Sequence, residues 1–131
     1  MRRFLLLTPL CACLLLAACG GVYLGIEIGD DDDDDPDVEL SASPSSVSSG
    51  QAVFLEASAN DDSGFVEQVD FFRVGSDGDR IFLGSDLSRP YQLETTAPQV
   101  GTTGTVEYFA RAYDGWGNRG ESGRVSISVQ P

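Results

Sequence analysis

The side chains that most often carry covalent or acid–base chemistry are scarce in this sequence. It has no His, and its 8 basic residues are all Arg, so an imidazole base and a lysine amine are both missing. Ser41, Ser43, Ser45, Ser46, Ser48 and Ser49 form a dense set, but a serine nucleophile needs a base beside it. Set among Pro44 and Gly50, these serines read as turn material. The 21 Asp and Glu are numerous enough for paired-carboxylate chemistry such as glycoside hydrolysis. They fall in turn-rich stretches and in one charge run, not where burial would raise one pKa of a pair. The expectation is a non-catalytic protein. A net charge of −13 excludes a nucleic-acid binder, which needs a basic footprint.

Binding chemistry is what remains. Asp61, Asp62, Asp114 and Asn118 offer the carboxylate and amide oxygens that Ca²⁺ prefers. Two readings stand for them. Either they converge on a bound Ca²⁺, the one cofactor expected, or each caps its own turn, as Asp and Asn commonly do. Trp116 is the only tryptophan, and Gly115 and Gly117 flank it. Such a loop either presents the ring to a partner or a sugar, or folds it inward as a lid on the core. Tyr113 is expected to extend the aromatic patch around Trp116, and Tyr91 is a further candidate. The arginines are scattered and form no stripe. Arg73 and Arg111 are expected on solvent faces of strands, paired with Asp70, Glu107 or Glu121.

The elements that must position these residues are strands. From Val38 onward short alternating segments are punctuated by turn residues, and no long stretch has a helical period. Strands are predicted over Val38–Ala42, Gln51–Ala59, Phe65–Val74, Arg80–Gly84, Tyr91–Thr95, Thr105–Tyr113 and Gly123–Val129. About seven short strands in one small domain make an all-β sandwich. Alternation puts Val53, Leu55, Ala57 and Ala59 on one face of their strand, and Val106, Tyr108, Ala110 and Ala112 on one face of theirs. Val69, Phe71, Val125, Ile127 and Val129 are expected to point inward, with Phe71 and Ile127 on opposite sheets and Phe72 outward. With strands running alternately up and down, Asp37, Glu39, Asp61, Asp62, Asp86, Asp114 and Asn118 collect at one end of the sandwich.

Ahead of the domain lie an address and a tether. Met1-Arg2-Arg3, an apolar stretch over Phe4–Leu16 and the small residues Ala17-Ala18 make a secretory signal. The apolar stretch is shorter than the roughly 20 residues a spanning helix needs. Leu16-Ala17-Ala18-Cys19-Gly20 looks like the lipobox of bacterial lipoproteins. That resemblance implies cleavage before Cys19 and its lipidation, hence a membrane partner through the lipid anchor at the cell envelope. Gly20 after the cysteine implies the outer membrane rather than the inner. Several acyl chains, at about 0.8 kcal/mol per buried methylene, hold stably. Cys11 and Cys13 fall in the discarded segment, so no thiol is left for a disulfide or for zinc. Asp30 to Asp35 is a run of like charge that repels itself and stays solvated. The expected division is a signal peptide over 1–18, a lipidated cysteine and disordered acidic tether over 19–37, and a folded domain over 38–131.

Four stretches of that domain carry a family resemblance: Val53-Phe54-Leu55-Glu56-Ala57-Ser58-Ala59-Asn60-Asp61-Asp62-Ser63-Gly64, then Val69-Asp70-Phe71-Phe72, Arg89-Pro90-Tyr91, and Ala110-Arg111-Ala112-Tyr113-Asp114-Gly115-Trp116-Gly117-Asn118. In this order and spacing they resemble the bacterial Ig-like domains. Val106 stands where many relatives carry a tyrosine, with Tyr108 the nearest aromatic. The resemblance implies an Ig-like β-sandwich and an envelope interaction or structural module, monomeric, whose partner is another envelope protein. A carbohydrate-binding or adhesion module, with a glycan on Trp116, is the alternative.

Overall fold

A computed structural model describes residues 34–62 and 64–131. The expected signal segment, Cys19 and all but the last residues of the acidic run lie outside the described residues. Nine strands are found among the described ones. They are β1 (Asp37–Ser43), β2 (Ser46–Ser48), β3 (Ala52–Asn60), β4 (Val66–Val74), β5 (Arg80–Asp86), β6 (Tyr91–Thr96), β7 (Gly104–Asp114), β8 (Arg119–Glu121) and β9 (Val125–Gln130). One sheet has the order β1-β3-β6. The other has the order β2-β9-β7-β4-β5, with β8 paired to β7. This is a two-layer all-β architecture of the Ig-like sandwich kind.

Seven of these strands are the expected ones, with ends moved by one or two residues. Of the two additions, β2 and β8, the first corrects the reading of Ser46 and Ser48 as turn material. β1 belongs to the small sheet, and β2 pairs in parallel with β9 of the large one. Pro44 sits at the switch, where a residue without an N–H cannot continue a ladder. Beyond it the Ser45 carbonyl accepts from Ser128 N–H, the Ser49 N–H donates to Gln130, and Val47 is buried. Ser46 and Ser48 thus form an edge strand with Val47 facing in, while Ser45 and Ser49 lie in a bend and a turn on either side of it, as expected.

The alternating rows are the core. Val53, Leu55, Ala57 and Ala59 of β3 oppose Val69 and Phe71 of β4, Val106, Tyr108, Ala110 and Ala112 of β7, and Ile127 and Val129 of β9. Phe71 is fully buried while Phe72 is only half-buried. Phe71 and Ile127 do point inward, but from the same sheet, because β4 and β9 both flank β7. Tyr91 is a core residue rather than part of a surface patch: it is buried, and its hydroxyl donates to the Val66 carbonyl at 2.9 Å. That bond ties the start of β6 to the start of β4, while the Tyr108 hydroxyl is buried without a partner.

Strand registers put one set of loops at one end. Asp37 pairs with Asn60, Tyr91 with Ala57, Asp86 with Val69, and Asp114 with Val66. The entry to β1 and the β3–β4, β5–β6 and β7–β8 connections therefore share that end. The entering chain is packed there: a Cβ on Gly120 of β8 would lie 1.8 Å from the Pro36 carbonyl oxygen, and Arg119 N–H donates to Asp35 Oδ1 at 3.3 Å.

Candidate interaction site at one end of the sandwich

The β7–β8 turn is built by Asp114. Its Oδ1 accepts from the backbone N–H groups of Trp116 and Asn118, both at 2.8 Å, and its Oδ2 accepts from Asn118 Nδ2 at 2.8 Å. Burial pushes the Asp114 carboxyl up, but the Asn118 amide and the N–H groups of Trp116, Asn118 and Gly117 outweigh it and hold its pKa below the usual range. Gly117, at φ +97°, supplies the left-handed residue the turn requires. Asp114 and Asn118 are therefore brought together as a capped turn.

Asp61 and Asp62 lie elsewhere at the same end. They line a cleft of about 310 Å³ with Asp34, Asp35, Asp37 and Asn60, and Asp114 is not among its walls. The four residues expected to share a Ca²⁺ are thus divided between two places. Among the described residues no group of three or more His, Cys, Asp or Glu is arranged to hold a metal ion.

Trp116 is presented outward. It is 64% exposed at the tip of its turn, so it is not a lid on the core. Two other loops at this end do the same with Phe65, 57% exposed, and Leu87, 70% exposed. Phe65 packs against the Trp116 turn: a Cβ on Gly115 would lie 3.1 Å from its ring. Of the five large apolar side chains exposed among the described residues, these three share one end. Tyr113 lies beside Trp116, and both line a cleft of about 560 Å³ with Glu67, Gln68, Asp70 and Asp114.

Phe65, Leu87 and Glu67 were not singled out by the sequence pattern, and Asp70 was expected only as the partner of an arginine, a pair that does not form among the described residues. The register shifts between Val66 and Gln68, so Glu67 is an extra residue with no cross-strand partner on β7. Such a bulge re-aims a side chain, and here it sets Glu67 beside Gln68 and Asp70. Asp70 is buried, and its Oδ1 accepts from Gln68 Nε2 at 2.5 Å and Ser85 Oγ at 2.6 Å. Arg111 stands directly across the ladder from Asp70, but its guanidinium turns to Glu121, 2.7 Å away.

That turn organises the outer face of the large sheet. Phe72 stacks on Phe109 with ring centroids 4.9 Å apart and meets Phe82 edge-on at 5.7 Å. The Arg111 guanidinium lies over Phe72 and that of Arg80 over Phe109, and Glu121 bridges the two arginines. Hydrogen bonding to Arg111, joined by Arg80, lowers the Glu121 pKa against the opposing effect of burial. Of the expected arginine pairs, Arg111–Glu121 forms, Glu107 pairs with Arg124 at 3.1 Å, and Arg73 has no ion pair among the described residues.

Two facing sheets, with the chain switching between them after β1 and a loop end bearing exposed apolar tips, define an Ig-like sandwich. Residues 36–110 match the family profile described as bacterial Ig domain, and the chain belongs to that family. The matched range ends within β7, so the Trp116 turn lies beyond it. No curated protein matches the chain. Among solved structures, a chain from "Structural basis of T cell specificity and activation by the bacterial superantigen toxic shock syndrome toxin-1" is similar at 14% identity and a TM-score of 0.49. The match covers 71% of this chain and 99% of that one.

Proposed function

We propose that this protein is a non-catalytic cell-envelope lipoprotein, anchored by lipid on Cys19 in the outer membrane, that presents one Ig-like module as a binding surface. The observation that carries the binding role is the convergence of Phe65, Leu87 and Trp116 on three neighbouring loops. Apolar tips left in water and rimmed by charge are the usual make-up of a protein-binding patch. The anchoring role is supported by the residues Leu16-Ala17-Ala18-Cys19-Gly20. A monomer is supported by the free edge of the large sheet, where Leu83 is an extra residue between the pairs Phe71–Gly84 and Phe72–Phe82. A bulge there spoils pairing with a second copy.

Cys19→Ser tests the anchor. The variant should leave the membrane fraction and the detergent phase, while Cys11→Ser and Cys13→Ser partition as the parent does. Unchanged partitioning of Cys19→Ser would refute lipidation. A second reading, a glycan-binding module, is favoured by the exposure of Trp116 beside a cleft. Saturable binding on a glycan array that is lost in Trp116→Ala would establish it, and a blank array would remove it.

A further inference from the structure

We infer that the cleft between Trp116 and β4 receives a basic side chain, arginine or lysine, from a protein partner. The inference rests on the interaction-module reading and names the chemistry that the loop end would recognise. At about 560 Å³ the cleft lies within the range of small-molecule sites and has ample room for one long side chain. Trp116 and Tyr113 supply aromatic surface, which attracts a cation through the ring quadrupole. Glu67 and Asp70 supply carboxylates that form no ion pair with a described arginine: Arg111, across the ladder from Asp70, directs its guanidinium to Glu121 and Tyr113.

The two carboxylates are held differently, and the difference suits a guanidinium. Asp70 is fixed by Gln68 and Ser85, both on Oδ1. Glu67 stands on the bulge next to the Trp116 turn, with Oε1 near the position a Gly115 Cβ would take. An arginine or lysine head between them gains charge-assisted hydrogen bonds together with an aromatic face. An anionic or apolar occupant would strip water from the same carboxylates and return nothing, and a neutral donor would return only the weaker, uncharged hydrogen bonds. Phe65, whose ring packs against Gly115 in the cleft wall, and Leu87, on another loop at the same end, then offer apolar surface to the neighbours of that basic residue. The net charge of −13 adds long-range attraction for a basic surface.

The test uses the full chain in detergent and reads Trp116 fluorescence while the blocked tripeptides Leu-Arg-Leu, Leu-Lys-Leu, Leu-Gln-Leu and Leu-Glu-Leu are titrated in. The Arg and Lys peptides should give saturable changes, with the Gln peptide at least about tenfold weaker. Glu67→Gln should cut the affinity for the Arg peptide severalfold with the thermal midpoint unchanged. Asp70→Asn should cut it further in a chain shown to be folded. Equal binding of the Gln peptide, or no saturation with any peptide, would overturn the inference. So would an equal response to putrescine, a neutral oligosaccharide or phosphatidylcholine vesicles. If Phe65→Ser and Leu87→Ser weaken peptide binding but Glu67→Gln does not, the interaction reading stands and the basic-side-chain cleft falls. If none of the three matters, both fall.

Discussion

Gly120→Ala probes how the chain enters the domain. A Cβ at this position would sit 1.8 Å from the Pro36 carbonyl oxygen and 2.9 Å from its carbon, against an ordinary contact distance of 3.4 Å or more. Both groups are backbone, so no side-chain rotation relieves the overlap. Either β8 peels from β7, where Gly120 faces Ala112, or the segment before β1 lifts and loses the Arg119–Asp35 hydrogen bond. The second route is less costly and removes one bond worth about 0.5–1.5 kcal/mol together with local packing. The total comes to about 1–3 kcal/mol, the usual range for overpacking. For a domain of this size that is roughly 4–8 °C in thermal midpoint per kcal/mol. Gly123→Ala is the control, since nothing lies within 4 Å of its Cβ position. It should be neutral or slightly stabilising. In a chain that begins at Asp37 the obstacle is gone, and Gly120→Ala should be neutral or slightly stabilising. An equal cost with and without residues up to 36 would refute the packing of Pro36 on β8.

Three further outcomes are expected. Phe71→Ala should cost about 3–5 kcal/mol in chemical denaturation, as for a fully buried ring. Phe72→Ala should cost less, about 1–3 kcal/mol, because it forfeits the Phe109 stack and the Arg111 contact rather than core volume; equal costs would place β4 in the wrong register. Stability should be flat from about pH 5 to 9, since the chain has no His. It should then fall as pH drops below about 4, because Asp86, Asp114 and Glu121 have folded-state pKa values below their unfolded ones and lose their bonds on protonation. A stability change centred near pH 6–7 would contradict that assignment.

The inward rows of β3, β7 and β9 were legible because a period of two is a direct consequence of the pleat. The sharing of one end by Asp37, Asp61, Asp86 and Asp114 followed from alternating strand direction alone. Strands of three residues were not legible. Ser46–Ser48 has the composition of a turn, and only its pairing with β9 makes it a strand. The cleft was hidden for a related reason. Glu67 and Asp70 are three apart, which in a regular strand places them on opposite faces, and the bulge at Glu67 cancels that rule. Two flanking glycines leave the backbone around Trp116 free to point the ring either way, so its exposure depends on how Asp114 folds the turn. The outer-face stack of Phe72 and Phe109 was foreshadowed by two aromatics at outward positions. Their cross-strand pairing supplied the contact.

Because Trp116 is the only tryptophan, its emission reports directly on whether the loop end offers an aromatic anchor. In the domain from Asp34 onward, the indole should emit at the red edge typical of a solvated ring. Acrylamide should quench it nearly as well as free indole, and Trp116→Phe should leave the unfolding free energy within about 0.5 kcal/mol of the parent. A blue-shifted, poorly quenched indole whose replacement unfolds the domain would make Trp116 part of the core and contradict a binding surface at this end.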